Sequence, residues 1–211
     1  MKYDNYKASR DVGWELLLKY KIDKLPVKIS DICRGEKIHI YSYDKSYDLI
    51  RAMGLEHDMT NNDGFSTIFR GEKYIFYDNN CIIGRQRFTV GHELGHFIMN
   101  HVQEGTATYR NKEPNRYDSL LEQEANIIAS RILAPACVLW GIGIKTPEQI
   151  QEICGISKQA AIWRMHRLEK LYAREQVFLA TYGYSCFLQS KLEKQVYKQF
   201  KDFIKFYKEK L

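Results

Sequence analysis

The sequence predicts an α+β fold, with a small sheet drawn from the first half of the chain and helices around and after it. Two observations carry this. The segments FSTIFR (65–70) and KYIFYD (73–78) are β-branched and aromatic runs parted only by Gly71-Glu72, a hairpin signal in which Gly71 can take a positive φ. Two segments of helical periodicity follow, from about 85 to 101 and from 117 to 134, the second stopping at Pro135. With 211 residues, 45% of them hydrophobic and 27% charged, the chain has the composition of a globular domain that buries its own core.

Taken in order, a first helix fits residues 9–20 and ends before Leu25-Pro26, where the chain must leave the α region. Ile38 and Ile40 alternate with polar neighbours and predict a short strand over 37–41. Residues 44–53 form a helix closed by Gly54, the hairpin follows, and a polar loop covers 103–115. After Gly141-Ile142-Gly143 the texture changes. Thr146-Pro147-Glu148-Gln149 is a helix start, Gly155 a turn, and Ser157 the N-cap of a helix to about 171. Two short helices about a glycine turn make a helix-turn-helix shape. A strand over 177–184 and an amphipathic helix over 188–211 complete the chain, the helix carrying Leu188, Leu192, Val196, Phe200, Phe203, Ile204 and Tyr207 on one stripe. The expected division is 1–140, 141–175 and 176–211.

Lys and Arg exceed Asp and Glu by 32 to 26, a net charge of +6, and the last helix concentrates it with seven lysines against three acids. Such a helix could bind a membrane, nucleic acid or an acidic partner, but its ordinary role is a solvated lysine face over an apolar stripe. The five cysteines are scattered, odd in number and without a C-x-x-C pair. They make neither a disulfide framework nor a zinc ribbon, and read as buried free thiols in a reducing compartment. The N-terminus shows no apolar signal segment. The longest uncharged stretch, 132–144, falls short of the ~20 residues that span a bilayer. The expected location is cytoplasmic.

The chemistry lies in His92-Glu93-Leu94-Gly95-His96, an H-E-x-x-H pattern within predicted helix. Four residues is about one turn, so both imidazoles leave one face and can grip a single ion. Glu93 is rotated roughly 100° from His92, where its carboxylate can take a proton from water at the metal without ligating it. Zinc suits two neutral imidazoles and a carboxylate.

A catalytic zinc needs a third protein ligand. His101 lies five residues past His96, and the position three after His96 is Met99 rather than the glycine of the longer three-histidine motif. His101 therefore reads as a surface or helix-end histidine. The segment Glu122-Gln123-Glu124-Ala125-Asn126 is the better source. Glu122, Ala125 and Ala129 share one helical face, and the alanines let that helix lie close to the H-E-x-x-H helix. Asn126, one turn beyond Glu122, can accept the outer N–H of a metal-bound histidine. Glu124 points the other way and reads as a solvated carboxylate.

These residues resemble the ImmA/IrrE family of zinc metallopeptidases. The resemblance rests on Arg87-Phe88-Thr89-Val90-Gly91-His92-Glu93-Leu94-Gly95-His96, on Glu122-x-x-Ala125-Asn126-x-x-Ala129, and on Leu133-Ala134-Pro135. Ile22 to Val27 and Ser157-x-x-Ala160-x-x-Arg164 are similar too, so the likeness covers about 10–172. Gly91 stands where alanine is usual and Ala134 where methionine is usual. The resemblance implies a zincin-like fold, zinc on His92, His96 and Glu122, and Glu93 as catalytic base. It also implies an intracellular endopeptidase that cleaves a transcriptional repressor of a prophage or integrative element. One sheet edge in such folds pairs with an extended substrate, and strand 73–78 is the candidate. For the oxyanion, Tyr109, Tyr117 and His101 are all available.

The rival reading is a DNA-binding or sensor-type regulator that uses 146–171, with the metal site structural or non-catalytic. Lys158, Arg164, His166, Arg167 and Lys170 would be its phosphate contacts. Against it, Ile156, Ala160, Trp163 and Leu168 look like packing positions.

Overall fold

The computed structural model describes residues 6–60, 62–104, 107–111 and 120–210. Within them the chain forms α1 (Tyr6–Lys19), α2 (Ile29–Gly35), β1 (Ile38–Ser42), α3 (Tyr43–Ala52), a short 3-10 turn (Glu56–Met59), β2 (Asn62–Phe69), β3 (Glu72–Tyr77) and α4 (Ile83–Ile98). It continues with β4 (Ala107–Asn111), α5 (Leu120–Leu133), α6 (Ala136–Ile142), α7 (Pro147–Cys154), α8 (Lys158–Tyr182), α9 (Lys191–Gln199) and α10 (Lys201–Lys208). By contact these fall into two units, one built chiefly of Lys28–Ala129 and one of Asp11–Val27 with Ser130–Leu211. The boundaries expected near 141 and 176 both fall inside the second unit.

The first unit holds a four-stranded sheet in the order β1-β3-β2-β4, with β1 parallel to β3 and the other pairs antiparallel. Phe69 pairs with Glu72, so the hairpin turn is Arg70-Gly71, with φ of 53° and 78°. Two left-handed residues give the turn whose twist matches that of the strands. Glu72 thus belongs to β3, one residue off the expected turn. The sheet order also corrects the expectation that strand 73–78 is a free edge. β1 pairs with it in parallel, Ile40 opposite Ile75, and leaves β1 and β4 outermost. β4 lies in the segment expected as a polar loop, where pairing with β2 recruits a strand that has no apolar alternation of its own.

Strand alternation gives the sheet two different faces. Phe65 joins Tyr43, Ile50 and Phe76 in a buried cluster, its ring 5.1 Å from that of Phe76. Ser66 points the other way, toward α4. The helix lies close on β2, since a Cβ on Gly64 would collide with the Thr89 side chain as well as with the Phe76 carbonyl oxygen, 2.6 Å away. A second close approach joins α4 to α5. A Cβ on Gly95 would stand 2.9 Å from Cα of Ala125. The small residues at 95 and 125 therefore set the spacing of these two helices.

In the second unit, Thr146 and Gln149 form a reciprocal capping box on α7, and Gly155 (φ 61°) turns the chain into α8, capped by Ser157. Ile150, Ile153, Ile156, Ala161, Met165 and Leu168 are buried. Trp163, expected to pack, is 65% exposed. Arg164, offered above as a phosphate contact, is buried instead; burial and the neighbouring Arg167 pull its guanidinium down to about 10. The helix runs on to Tyr182, and the strand expected over 177–184 does not form. Val177, Leu179 and Tyr182 stay exposed on α8, where no neighbouring strand among the described residues realises their β-propensity. The single helix expected over 188–211 is two, parted at Phe200. Its stripe docks in this unit: Val196, Phe200 and Ile204 are buried, and Gly141 of α6 leaves room for Tyr197 and Ile204. Gln199 donates to the carbonyls of Leu17 and Ile22 at 2.8 and 2.6 Å. All seven lysines of this tail face solvent. The five cysteines are free, Cys81 half-buried and the rest buried. The helical run Leu120–Ile142 is apolar enough by composition to cross a membrane, but most of it is buried inside the protein and Pro135 interrupts it.

Candidate metal centre

One turn of α4 presents His92 and His96 together, both fully buried, with their Nε2 atoms 3.0 Å apart and their rings at 75°. Glu122 of α5 closes the group. Its Oε2 lies 3.1 Å from Nε2 of His92 and its Oε1 3.1 Å from Nε2 of His96. The Glu122 side chain is 25% exposed, while the histidines are sealed, so the carboxylate marks the solvent side. Burial raises the Glu122 carboxyl, but hydrogen bonds and charge from His92 and His96 outweigh it and hold the group well below the usual carboxylate range. Among the described residues these three form the group able to hold a metal ion.

The donor set fits such an ion. Nδ1 of His92 is 3.1 Å from the Asn126 side-chain oxygen, which only accepts, so Nδ1 carries a proton and Nε2 is the nitrogen turned to the centre. Two imidazoles and a carboxylate converging at one point are a zinc-type set. Glu93 stands outside it. Its carboxylate is buried and receives a 2.6 Å hydrogen bond from Ser66 Oγ. Sequence reasoning missed Ser66, whose one signal was a small polar residue in an apolar strand run.

Two residues depart from expectation. His101 and Glu124 are not solvated; their side chains are 6% and 5% exposed and lie 2.9 Å apart, His101 Nε2 to Glu124 Oε2. Helix α4 ends at Ile98 and Asn100 takes a left-handed φ of 57°, which reverses the chain and returns His101 toward His96. The helix expected through residue 101 stops at Ile98, so His101 does not lie on its surface. Burial and the nearby His96 lower the His101 pKa. Both its ring nitrogens are engaged, by Glu124 and by His96. Tyr117 and the beginning of the helix expected from 117 lie outside the described residues, and of Tyr109 only its backbone place in β4 is described.

The family model of the IrrE N-terminal-like domain (Peptidase_M78) matches residues 50–165, more than half of the chain and all of the centre above. The chain belongs to this family. Membership makes it a metallopeptidase of the IrrE/ImmA type, and the matched span contains the His92, His96 and Glu122 group that could hold a metal ion. No curated protein matches the chain.

Proposed function

We propose that the chain is a zinc-dependent endopeptidase that cleaves one specific protein partner, a helix-turn-helix transcriptional repressor of a prophage or integrative element, and so relieves repression. One observation carries the catalytic part of this reading: a metal-type triad with a buried carboxylate, Glu93, adjacent in sequence to one ligand yet held apart from the triad by Ser66. His92, His96 and Glu122 would hold the zinc. When bound, it supplies a Lewis acid that polarises the scissile carbonyl and acidifies water.

The remaining work falls to the protein's own groups. Glu93 takes the proton of the attacking water and returns it to the leaving amine nitrogen. Ser66 aims that carboxylate by donating to Oε2, leaving Oε1 to handle the proton. Asn126 fixes the His92 ring and its tautomer. With β3 interior, the substrate strand would add to an outer edge, and β4 is the edge strand that packs against α4. The repressor partner follows from the resemblance set out above. The test is incubation of the purified chain with the repressor encoded beside it, with and without chelator. Zinc-dependent cleavage at one site is expected, and it should be absent from Glu93→Gln. An intact repressor in every arm would refute the reading.

A further inference from the structure

The two histidines of α4 are steadied by different means. His92 directs Nδ1 at the amide oxygen of Asn126. His96 directs Nδ1 at another imidazole, with Nδ1 of His101 at 3.0 Å, and Nε2 of His101 continues to Oε2 of Glu124 at 2.9 Å. Sealed side chains at 101 and 124 keep water from competing for these positions.

Donor and acceptor rules then fix the protons. A carboxylate only accepts, so His101 donates from Nε2. A neutral imidazole with its proton on Nε2 can only accept at Nδ1. His96 must therefore donate from Nδ1, which leaves Nε2 as the nitrogen turned to the centre, 3.0 Å from His92 Nε2 and 3.1 Å from Glu122 Oε1.

The geometry points to an ordered chain, Glu124–His101–His96, in which Glu124 and His101 are positioning residues that lock His96 in the tautomer able to bind a metal; this rests on the metal-centre reading above. The role belongs to the acceptor oxygen at position 124 and not to its charge. Gln at 124 can still accept from His101 through its amide oxygen, whereas Leu cannot.

The test joins two measurements on the full-length chain. In the 15N-labelled, metal-free wild type, imidazole nitrogen spectra should show His96 protonated at Nδ1 and His101 at Nε2. In zinc competition against a chromophoric chelator, His101→Phe and Glu124→Leu should each weaken binding by about 10–100-fold, as expected on removing an outer partner of a ligating histidine. Glu124→Gln should restore most of that loss. His96 without a proton on Nδ1, or His101 with one on Nδ1, in the wild type would overturn the ordered chain even if the variants failed to fold. So would folded His101→Phe with wild-type affinity, or Glu124→Gln as weak as Glu124→Leu. A wild type that binds zinc through Glu122 while His101→Phe is unaffected removes this chain alone. A wild type that binds no zinc removes the functional reading with it.

Discussion

Replacing Gly95 by Ala would test whether the spacing of α4 and α5 makes the metal centre. The new Cβ would stand 2.9 Å from Cα, 3.1 Å from O and 3.3 Å from Cβ of Ala125. Carbon atoms prefer about 3.5–4.0 Å, so the nearest contact must open by roughly 0.6 Å or more. Two of the three atoms are backbone and cannot rotate away, so the helices themselves must separate. Metal–ligand distances tolerate only about 0.2 Å. His92 and His96 ride on α4 and Glu122 on α5, one turn from the clash. The ligand set should therefore be pulled apart by several times its tolerance.

Stability should respond far less. Overpacking costs about 1–3 kcal/mol, and Ala regains close to 1 kcal/mol of helix propensity over Gly. The metal-free variant should thus lose no more than about 2 kcal/mol, read from urea unfolding in the presence of chelator. Zinc affinity, read by competition with a chromophoric chelator, should fall by at least about tenfold. A variant that binds zinc like the wild type would refute the reasoning, because the close approach would then not be what brings Glu122 to the histidines.

Other expectations follow from the same geometry. Glu122→Gln should lose most of the zinc, measured by metal analysis after dialysis, while Glu124→Gln keeps most of it; equal loss would undo the assignment of Glu122. Glu93→Gln should retain zinc and fold but cleave the partner at least ~100-fold more slowly, the low end for a general base. Ser66→Ala removes one hydrogen bond to a charged group, worth about 1.5–3 kcal/mol, and should slow turnover about tenfold or more without loss of metal. Arg164→Met replaces a buried guanidinium whose Nε and Nη2 have no hydrogen-bond partner among the described residues. It should shift the urea midpoint upward by about 1–3 kcal/mol of stability, and a loss of that size would show that the charge is compensated.

Local signals in the sequence were enough for the elements around the centre. The H-E-x-x-H turn, the hairpin and the small residues facing each other across α4 and α5 depend on short-range spacing, which a sequence displays directly. What escaped depends on partners far away in the chain. β4 has no strand pattern and exists because β2 offers it an edge. The apolar run 177–182 resembles a strand but has no strand to pair with among the described residues, and is helix. His101 and Glu124 were misread for the same reason. Each is a polar residue on its own segment, and only the left-handed turn at Asn100 brings them together.

Glu93 and the three residues proposed to hold the metal are positioned by different parts of the architecture. The proposed ligands answer to the spacing of α4 and α5. Glu93 lies on the same helix as two of them, but its partner, Ser66, belongs to β2. Along that strand Phe65 enters the aromatic cluster and Ser66 faces the helix. A one-residue slip of β2 would exchange them, placing a phenyl ring against the carboxylate and a hydroxyl in the core. The Arg70-Gly71 turn sets the register that prevents this slip. The hairpin therefore does more than support α4 from below. Its register determines whether the buried carboxylate beside the proposed metal ligands meets a hydrogen-bond donor or a hydrocarbon, and so whether it is placed for the base role proposed for it.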